Sequence, residues 1–248
     1  MPPLPLLILV PIIAFLYSSV GFGGASGYLA VMGLFQLSTS LMASTALTLN
    51  VVVAGISFTS YARAGHLEKR LLLPFLATSI PAAFMGGYFK INDTLYFLIL
   101  YGVLTYVMVR MLFFPSQGDE SVSLRPVPLP LALLSGAAIG LISGMVGIGG
   151  GVFLSPLIIL LHWGTTKQAS AAAAAFIVLN SVSGLLGRLS GGNFEFGTLG
   201  LVLLPLGILG AWLGSWLGAR RFSGRLLQRL LGLVLLIAVG KYWLTWFW

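Results

Sequence analysis

Apolar residues fill this chain in long continuous runs that almost nothing charged interrupts. Charged residues are 7% of the sequence, where soluble domains carry about 25%. So few charges cannot cover a core with a water-facing surface. A helix in water shows one apolar stripe; these runs are apolar all round, so lipid must solvate much of the surface. Charges, prolines and glycine clusters bound the runs at 4–20, 25–37, 40–62, 71–89, 94–114, 128–146, 151–162, 168–189, 197–218 and 226–247. Most can cross about 30 Å of hydrocarbon at about 1.5 Å per residue. The runs 25–37 and 151–162 are too short to cross comfortably. The pattern is that of an all-α polytopic membrane protein.

The chain has no cysteine, which excludes disulfides, thiolate metal sites and cysteine nucleophiles. Its net charge of +8 comes from 13 Lys and Arg spread thinly between the runs, which speaks against nucleic acid as a partner. The start, Met1-Pro2-Pro3-Leu4-Pro5, lacks the basic n-region of a signal peptide, so the first run reads as a retained span.

The stretch 115–127 is polar and punctuated by proline, and it divides the chain into two membrane repeats, 1–114 and 128–248. Val20-Gly21-Phe22-Gly23-Gly24 closes the first run of one repeat, and Val146-Gly147-Ile148-Gly149-Gly150-Gly151 stands 126 residues later in the other. Each loop precedes a short apolar segment and then a small-residue helix, with Ser44-Thr45-Ala46 in one and Ser170-Ala171-Ala172 in the other. Those helices carry Asn50 and Asn180, which are 130 residues apart and so miss the register by about one helical turn.

Charge decides between two topologies. With each glycine loop inside a single broken span, Lys and Arg divide almost evenly between the two faces. If the chain turns back at each loop, Arg63, Lys69, Arg70, Arg110, Arg125, Lys167, Arg220, Arg221, Arg225 and Arg229 share one face. Lys90, Arg188 and Lys241 share the other. That bias obeys the positive-inside rule. It predicts two inverted repeats of about five helical segments each, with both termini outside the cytoplasm. The glycine-rich hairpins would enter from opposite faces and meet near the midplane.

Irregular backbone in a membrane must be buried in protein or line a wet cavity. At each tip a helix begins, and its unpaired N–H groups and positive dipole end suit an anion. Glycine permits positive φ and close approach of a ligand. The candidate substrate-binding residues are therefore Gly21, Phe22, Gly23, Gly24, Ser26 and Asn50 with Gly147, Ile148, Gly149, Gly150, Gly151 and Asn180. No basic residue is near either loop in sequence, so the site is expected to hold its anion without one. The asparagines suit either interhelical hydrogen bonds or substrate contact. Thr45, Ser44, Ser170, Ser181 and Ser183 are weaker candidates, because hydroxyls in membrane helices often bond their own carbonyls.

Other features have plainer uses. Arg188 could steer anions, but a snorkelling side chain at its helix end is expected. Arg220, Arg221, Arg225 and Arg229 read as a topology and headgroup anchor. Tyr242, Trp243, Trp246, Phe247 and Trp248 read as an interfacial aromatic belt. His66 and His162 offer too little for a metal site, no cofactor motif is present, and no nucleophile–base pair suggests an enzyme. Gly207, Gly210, Gly214 and Gly218 suit close helix packing; within that set Gly210, Gly214 and Gly218 serve within the protomer or between copies in a homo-oligomer. The acids Glu68, Asp93, Asp119, Glu120 and Glu195 all fall in loops, which argues against a cation substrate.

The two glycine loops, with Pro156 after the second, resemble the TauE/SafE family of sulfite and organosulfur-anion exporters. The resemblance covers essentially the whole chain, although Ala25-Ser26 replaces the glycine that the second loop has at Gly151. It implies transport of sulfite, sulfonates or related sulfur anions across a bacterial inner membrane, with lipid and a small anion as partners. A carrier for another small anion such as a carboxylate, or a membrane assembly subunit, are the alternatives from the residues alone.

Overall fold

The structure is a computed structural model that describes residues 3–19, 22–114, 124–221 and 224–247; the side chains at 216–221, 224–228, 230, 231, 234 and 245–247 are excepted. Ten helices follow in chain order: α1 (Leu4–Ser19), α2 (Ala25–Leu34), α3 (Thr39–Arg63), α4 (Lys69–Tyr88), α5 (Asp93–Phe113), α6 (Leu129–Val146), α7 (Gly151–Leu160), α8 (Thr166–Ser190), α9 (Gly197–Arg221) and α10 (Gly224–Phe247). Among the described residues six of them, α3, α4, α5, α6, α8 and α9, are long and apolar enough to cross a membrane. The two short runs are α2 and α7, with 10 residues each, so each rises only about 15 Å.

Polar residues at the helix starts meet the unpaired N–H groups there. Ser38 accepts from Leu41 N, and Asn92 accepts from Leu95 N. Thr165 and Gln168 form a reciprocal capping box. Glycine then sets how closely the helices pack. Gly136, Gly140 and Gly144 of α6 lie against the backbone of Phe75, Ser79 and Ala83 of α4, so these helices run parallel. Gly210 and Gly214 of α9 lie in the same way against Pro11 and Phe15 of α1. Those two glycines therefore pack inside the protomer; Gly218 lies outside the described side chains. A Cβ at Gly136 or Gly140 would collide with backbone atoms. Such contact brings dispersion and hydroxyl–carbonyl bonds into reach where the solvent supplies no hydrophobic drive. Thr78 donates to Leu133 O across the α4–α6 contact, and Ser183 of α8 donates to Ile80 O of α4.

The two halves interleave. Helix α1 packs on α9 and α6 on α4, α3 packs on α9 and α8 on α4, while α3 meets α8 and α5 meets α10. Large apolar side chains face outward from α1 (Leu4, Ile8, Ile12), α4 (Leu73, Ile80, Phe84), α6 (Leu131, Leu134) and α9 (Leu201, Leu209, Trp212). Such a surface belongs in lipid, and the chain is an integral membrane protein.

The C-terminal aromatics depart from the expected belt. Tyr242 stacks on Tyr101 of α5 at 3.7 Å between centroids, and Trp243 Nε1 donates to Thr105 Oγ1. They fasten α10 to α5, one by ring stacking and the other by its indole N–H. Trp248 and the side chains of Trp246, Phe247, Arg220, Arg221 and Arg225 lie outside the described set.

Candidate substrate site

The chain doubles back at both glycine loops. Phe22 N donates to Tyr17 O at 2.9 Å, and the Tyr17 hydroxyl meets Ser26 Oγ at 2.6 Å. A Cβ on Gly27 of α2 would meet Ile13 and Tyr17 of α1. In the second loop Gly150 lies against Ser143 and Ile139 of α6. Beyond α7 the His162 carbonyl accepts from Arg125 N at 2.8 Å, so the α6–α7 pair returns to its own start.

Positive φ makes these turns possible. Gly24 (φ 95°) caps α2 and Gly150 (φ 81°) caps α7; Gly147 (φ 92°) and Gly149 (φ 80°) complete the second turn. A side chain at such φ is strained by about 1–2 kcal/mol, and each site is crowded as well. A Cβ on Gly149 would lie 2.6 Å from Asn50 Nδ2 and 2.9 Å from Ser181 Oγ. One on Gly147 would meet Ala43, one on Gly24 the Tyr28 ring, and one on Gly151 both Ile177 and Ala173 O.

Asn50 joins the loops. It is fully buried at the twelfth of 25 residues in α3. Its Oδ1 accepts from Ala25 N at 3.1 Å, and its Nδ2 donates to the Ile148 carbonyl at 3.0 Å. One side chain thus satisfies the first N–H of α2 and a carbonyl of the other loop. Gly23 also faces Asn50, and Ile177 of α8 reaches both Gly23 and Gly149. Asn180 does otherwise: its Nδ2 donates to Phe176 O of its own helix at 2.8 Å and touches no loop by hydrogen bond. Counting from the helix starts, Ile177 is the residue of α8 that matches Asn50.

The polar groups around the loops are unevenly met. At the first loop the protein supplies partners for Ala25 N and Ser26, and leaves the buried Tyr28 hydroxyl beside Gly24 without one. At the second, Ser143 Oγ beside Gly150 and Ser181 Oγ beside Gly149 are buried and have no hydrogen-bond partner. Asn180 Oδ1, one residue before Ser181, is in the same condition. Buried polar groups are nearly always paired, so such a cluster calls for an explanation. Phe22 lines a small cavity of about 30 Å³ with Val107, Arg110, Val152, Ser155 and Pro156. Gly21 lies outside the described residues.

Two expectations about charge are corrected here. Arg188 does not snorkel: it is 6% exposed, and its Nη2 donates to Met145 O at 2.6 Å and Gly144 O at 3.2 Å. Basic residues also do approach the loops, since Arg188 adjoins the second and Arg110 shares a cavity with Phe22. Gly87 and Gly187 explain the first point. They bring α4 and α8 into backbone contact, which leaves the arginine between helices with only the end of α6 in reach.

A cleft of about 440 Å³ opens beside the first loop, lined by Ser18, Ser19, Ser57, Ser60, Tyr61, His66 and Lys167. Ser18 and Ser19 end α1, and Ser57 stands two turns beyond Asn50. On another side a narrow cleft lined by Thr39, Ser40, Lys90, Tyr96, Arg188 and Asn193 reaches Met145, just ahead of the second loop.

Lipid-facing helices that enclose two crowded, back-turning loops define a polytopic α-helical membrane protein. The family described as Sulfite exporter TauE/SafE matches residues 6–242. The chain belongs to the TauE/SafE family, and it is a membrane transporter. It is 35% identical over 184 residues to a "Probable membrane transporter protein" of Sinorhizobium fredii, covering 73% of this chain and 74% of that one. A protein of the same description from Methanocaldococcus jannaschii is 24% identical over 220 residues, covering 84% of this chain and 81% of that one. No solved structure matches the chain.

Proposed function

We propose that the chain exports small sulfur-containing anions such as sulfite or sulfonates and holds them between the two glycine loops. The observation that carries this reading is the meeting of both loops on Asn50, with Ser143 and Ser181 hydroxyls buried and unpartnered beside the second. Hydroxyl donors, N–H groups at the start of α7 and the positive end of its dipole together suit an oxyanion. The first loop serves as the opposing wall, because Ala25 N and Ser26 are already engaged there and the Tyr28 hydroxyl beside Gly24 is left over.

The two halves act as an inverted repeat. The parallel pairs α1–α9 and α4–α6 support this, because α8 and α9 are joined by a short turn and α8 runs with α4. Equivalent helices of the halves then point in opposite directions. Such repeats alternate access by rocking one bundle against the other around a fixed site. The Ser57–Lys167 cleft would lead to the site from the cytoplasm, and the Arg188 cleft from outside, with both termini outside. An inside-negative potential drives an anion out by about 2.3 kcal/mol per charge per 100 mV, so export needs no coupling ion.

The test is flux in proteoliposomes loaded with labelled sulfite, thiosulfate or sulfoacetate under a potential of either sign. Saturable efflux that responds to the potential is expected for one of them. Absence of flux for all three, from folded protein, would move the assignment to another solute or to an assembly role. Saturable flux indifferent to the potential would rule out electrogenic export.

A further inference from the structure

Arg188 is the only charged side chain that is buried among the described residues. Among the described residues no carboxylate pairs with it: its bonds go to the Met145 and Gly144 carbonyls, and its Nε has no partner. The end of α6 offers the guanidinium a partial negative charge, which offsets part of the cost of leaving water. A full cation normally needs a full counter-charge as well. Asp93 does not provide it, since it accepts from Thr39 and lines a different cavity with Lys241. Instead the cleft that reaches Arg188 adds a second cation, Lys90, and the Ser40 hydroxyl.

We propose that Arg188, with Lys90 and Ser40, forms a binding site for a small oxyanion on the outer side of the second glycine loop. The site rests on the reading of the chain as an anion transporter and adds to it a place where the anion meets full positive charge. A guanidinium fork matches an oxyanion in a way a point charge does not. The cleft has about 20 Å³, room for one water, so the described conformation is closed around the arginine. The same Nη2 that would hold the anion now holds the last carbonyls of α6. Anion and carbonyls therefore compete for one donor, and arrival of the anion frees the segment that leads into Gly147. Occupancy of the site is thereby coupled to the position of the loop.

The test uses the full-length protein, wild type and with Arg188→Gln or Arg188→Lys. Glutamine keeps an N–H for Met145 O and loses the charge; lysine keeps the charge. Thermal unfolding in detergent is followed with sulfite, thiosulfate or sulfate, and with chloride as control. An oxyanion is expected to raise Tm for wild type and Arg188→Lys but not for Arg188→Gln. Half-saturating sulfite in flux should rise about tenfold or more in Arg188→Gln, with partial recovery in Arg188→Lys. An arginine that only ties down α6 would leave the oxyanion dependence of Arg188→Gln equal to that of wild type, and that result overturns the proposal. So does a wild type that none of the three oxyanions stabilises. Arginine-dependent stabilisation without any flux would keep the site and defeat the transport reading instead. If Arg188→Gln does not fold, Lys90→Gln at its exposed position serves. A loss of about threefold in apparent oxyanion affinity is expected, and no change overturns the proposal.

Discussion

The first glycine loop has Ala25 N and Ser26 met by protein and one unpartnered hydroxyl, that of Tyr28, beside it; the second has two, those of Ser143 and Ser181. Ala25 N rests on Asn50, and Ser26 pairs with Tyr17. Across Asn50, Gly149 and Gly150, both at positive φ, lie against the Ser181 and Ser143 hydroxyls with nothing to bond, and Arg188 bonds the end of α6 just ahead of them. The sequences differ by little, chiefly Ala25-Ser26 against Gly151. The difference teaches that duplication need not give two equal half-sites. One copy became a wall held by its own hydrogen bonds, and the other kept its donors for something that comes and goes. An unmet buried hydroxyl costs about 1–3 kcal/mol, a stability cost that selection for a binding function would explain.

The largest effect that could break this comparison is expected at Gly149. Gly149→Leu should abolish flux and also lower stability, since positive φ and the contacts with Asn50 and Ser181 oppose any side chain. Gly149→Ala separates the two effects, with loss of most flux expected at about 1–3 kcal/mol of destabilisation. Ordinary flux from a folded Gly149→Ala protein would remove this loop from the pathway. Next comes Asn50→Ala, which leaves Ala25 N–H and the Ile148 carbonyl unpaired at once. It should lower stability by about 2–4 kcal/mol, while Asn180→Ala, losing a bond within its own helix, should cost under about 1 kcal/mol. Equal Tm losses for the two would erase the distinction between the asparagines.

The serines sharpen the contrast. Ser181→Ala and Ser143→Ala should keep Tm or raise it slightly, because an unpartnered hydroxyl leaves, yet slow flux several-fold. Ser26→Ala should do the reverse, costing about 1 kcal/mol through the Tyr17 bond with little change in flux. Paired Tm and flux measurements on the three variants settle the assignment. The smallest effect is expected at Gly102, where a Cβ would meet nothing within 4 Å. Gly102→Ala should leave flux unchanged and alter stability by less than about 1 kcal/mol.

Much of this was legible because membrane helices announce themselves locally. The short runs after the loops became α2 and α7, and the glycine clusters became the turns. What stayed hidden depends on contacts between distant segments. Nothing near residue 188 says that its side chain meets Gly144 rather than water; glycine-mediated approach of α4 and α8 decides it. Likewise the near-register of Asn50 and Asn180 suggested equivalent roles. A three-residue displacement along α8 turns the second asparagine back on its own helix and leaves Ile177 at the matching place.

The interleaving of the halves bears on how the protein is made. α1 is synthesised well before α9, yet the groove that receives Pro11 and Phe15 is on α9. Until then α1 has α2 on one side, while the side that α9 will cover waits in lipid or against a temporary partner. α4, by contrast, meets α6 soon after the central connection is translated. Insertion of this protein must therefore include the docking of an early segment onto a much later one, and truncation anywhere before α9 would leave one side of α1 uncovered.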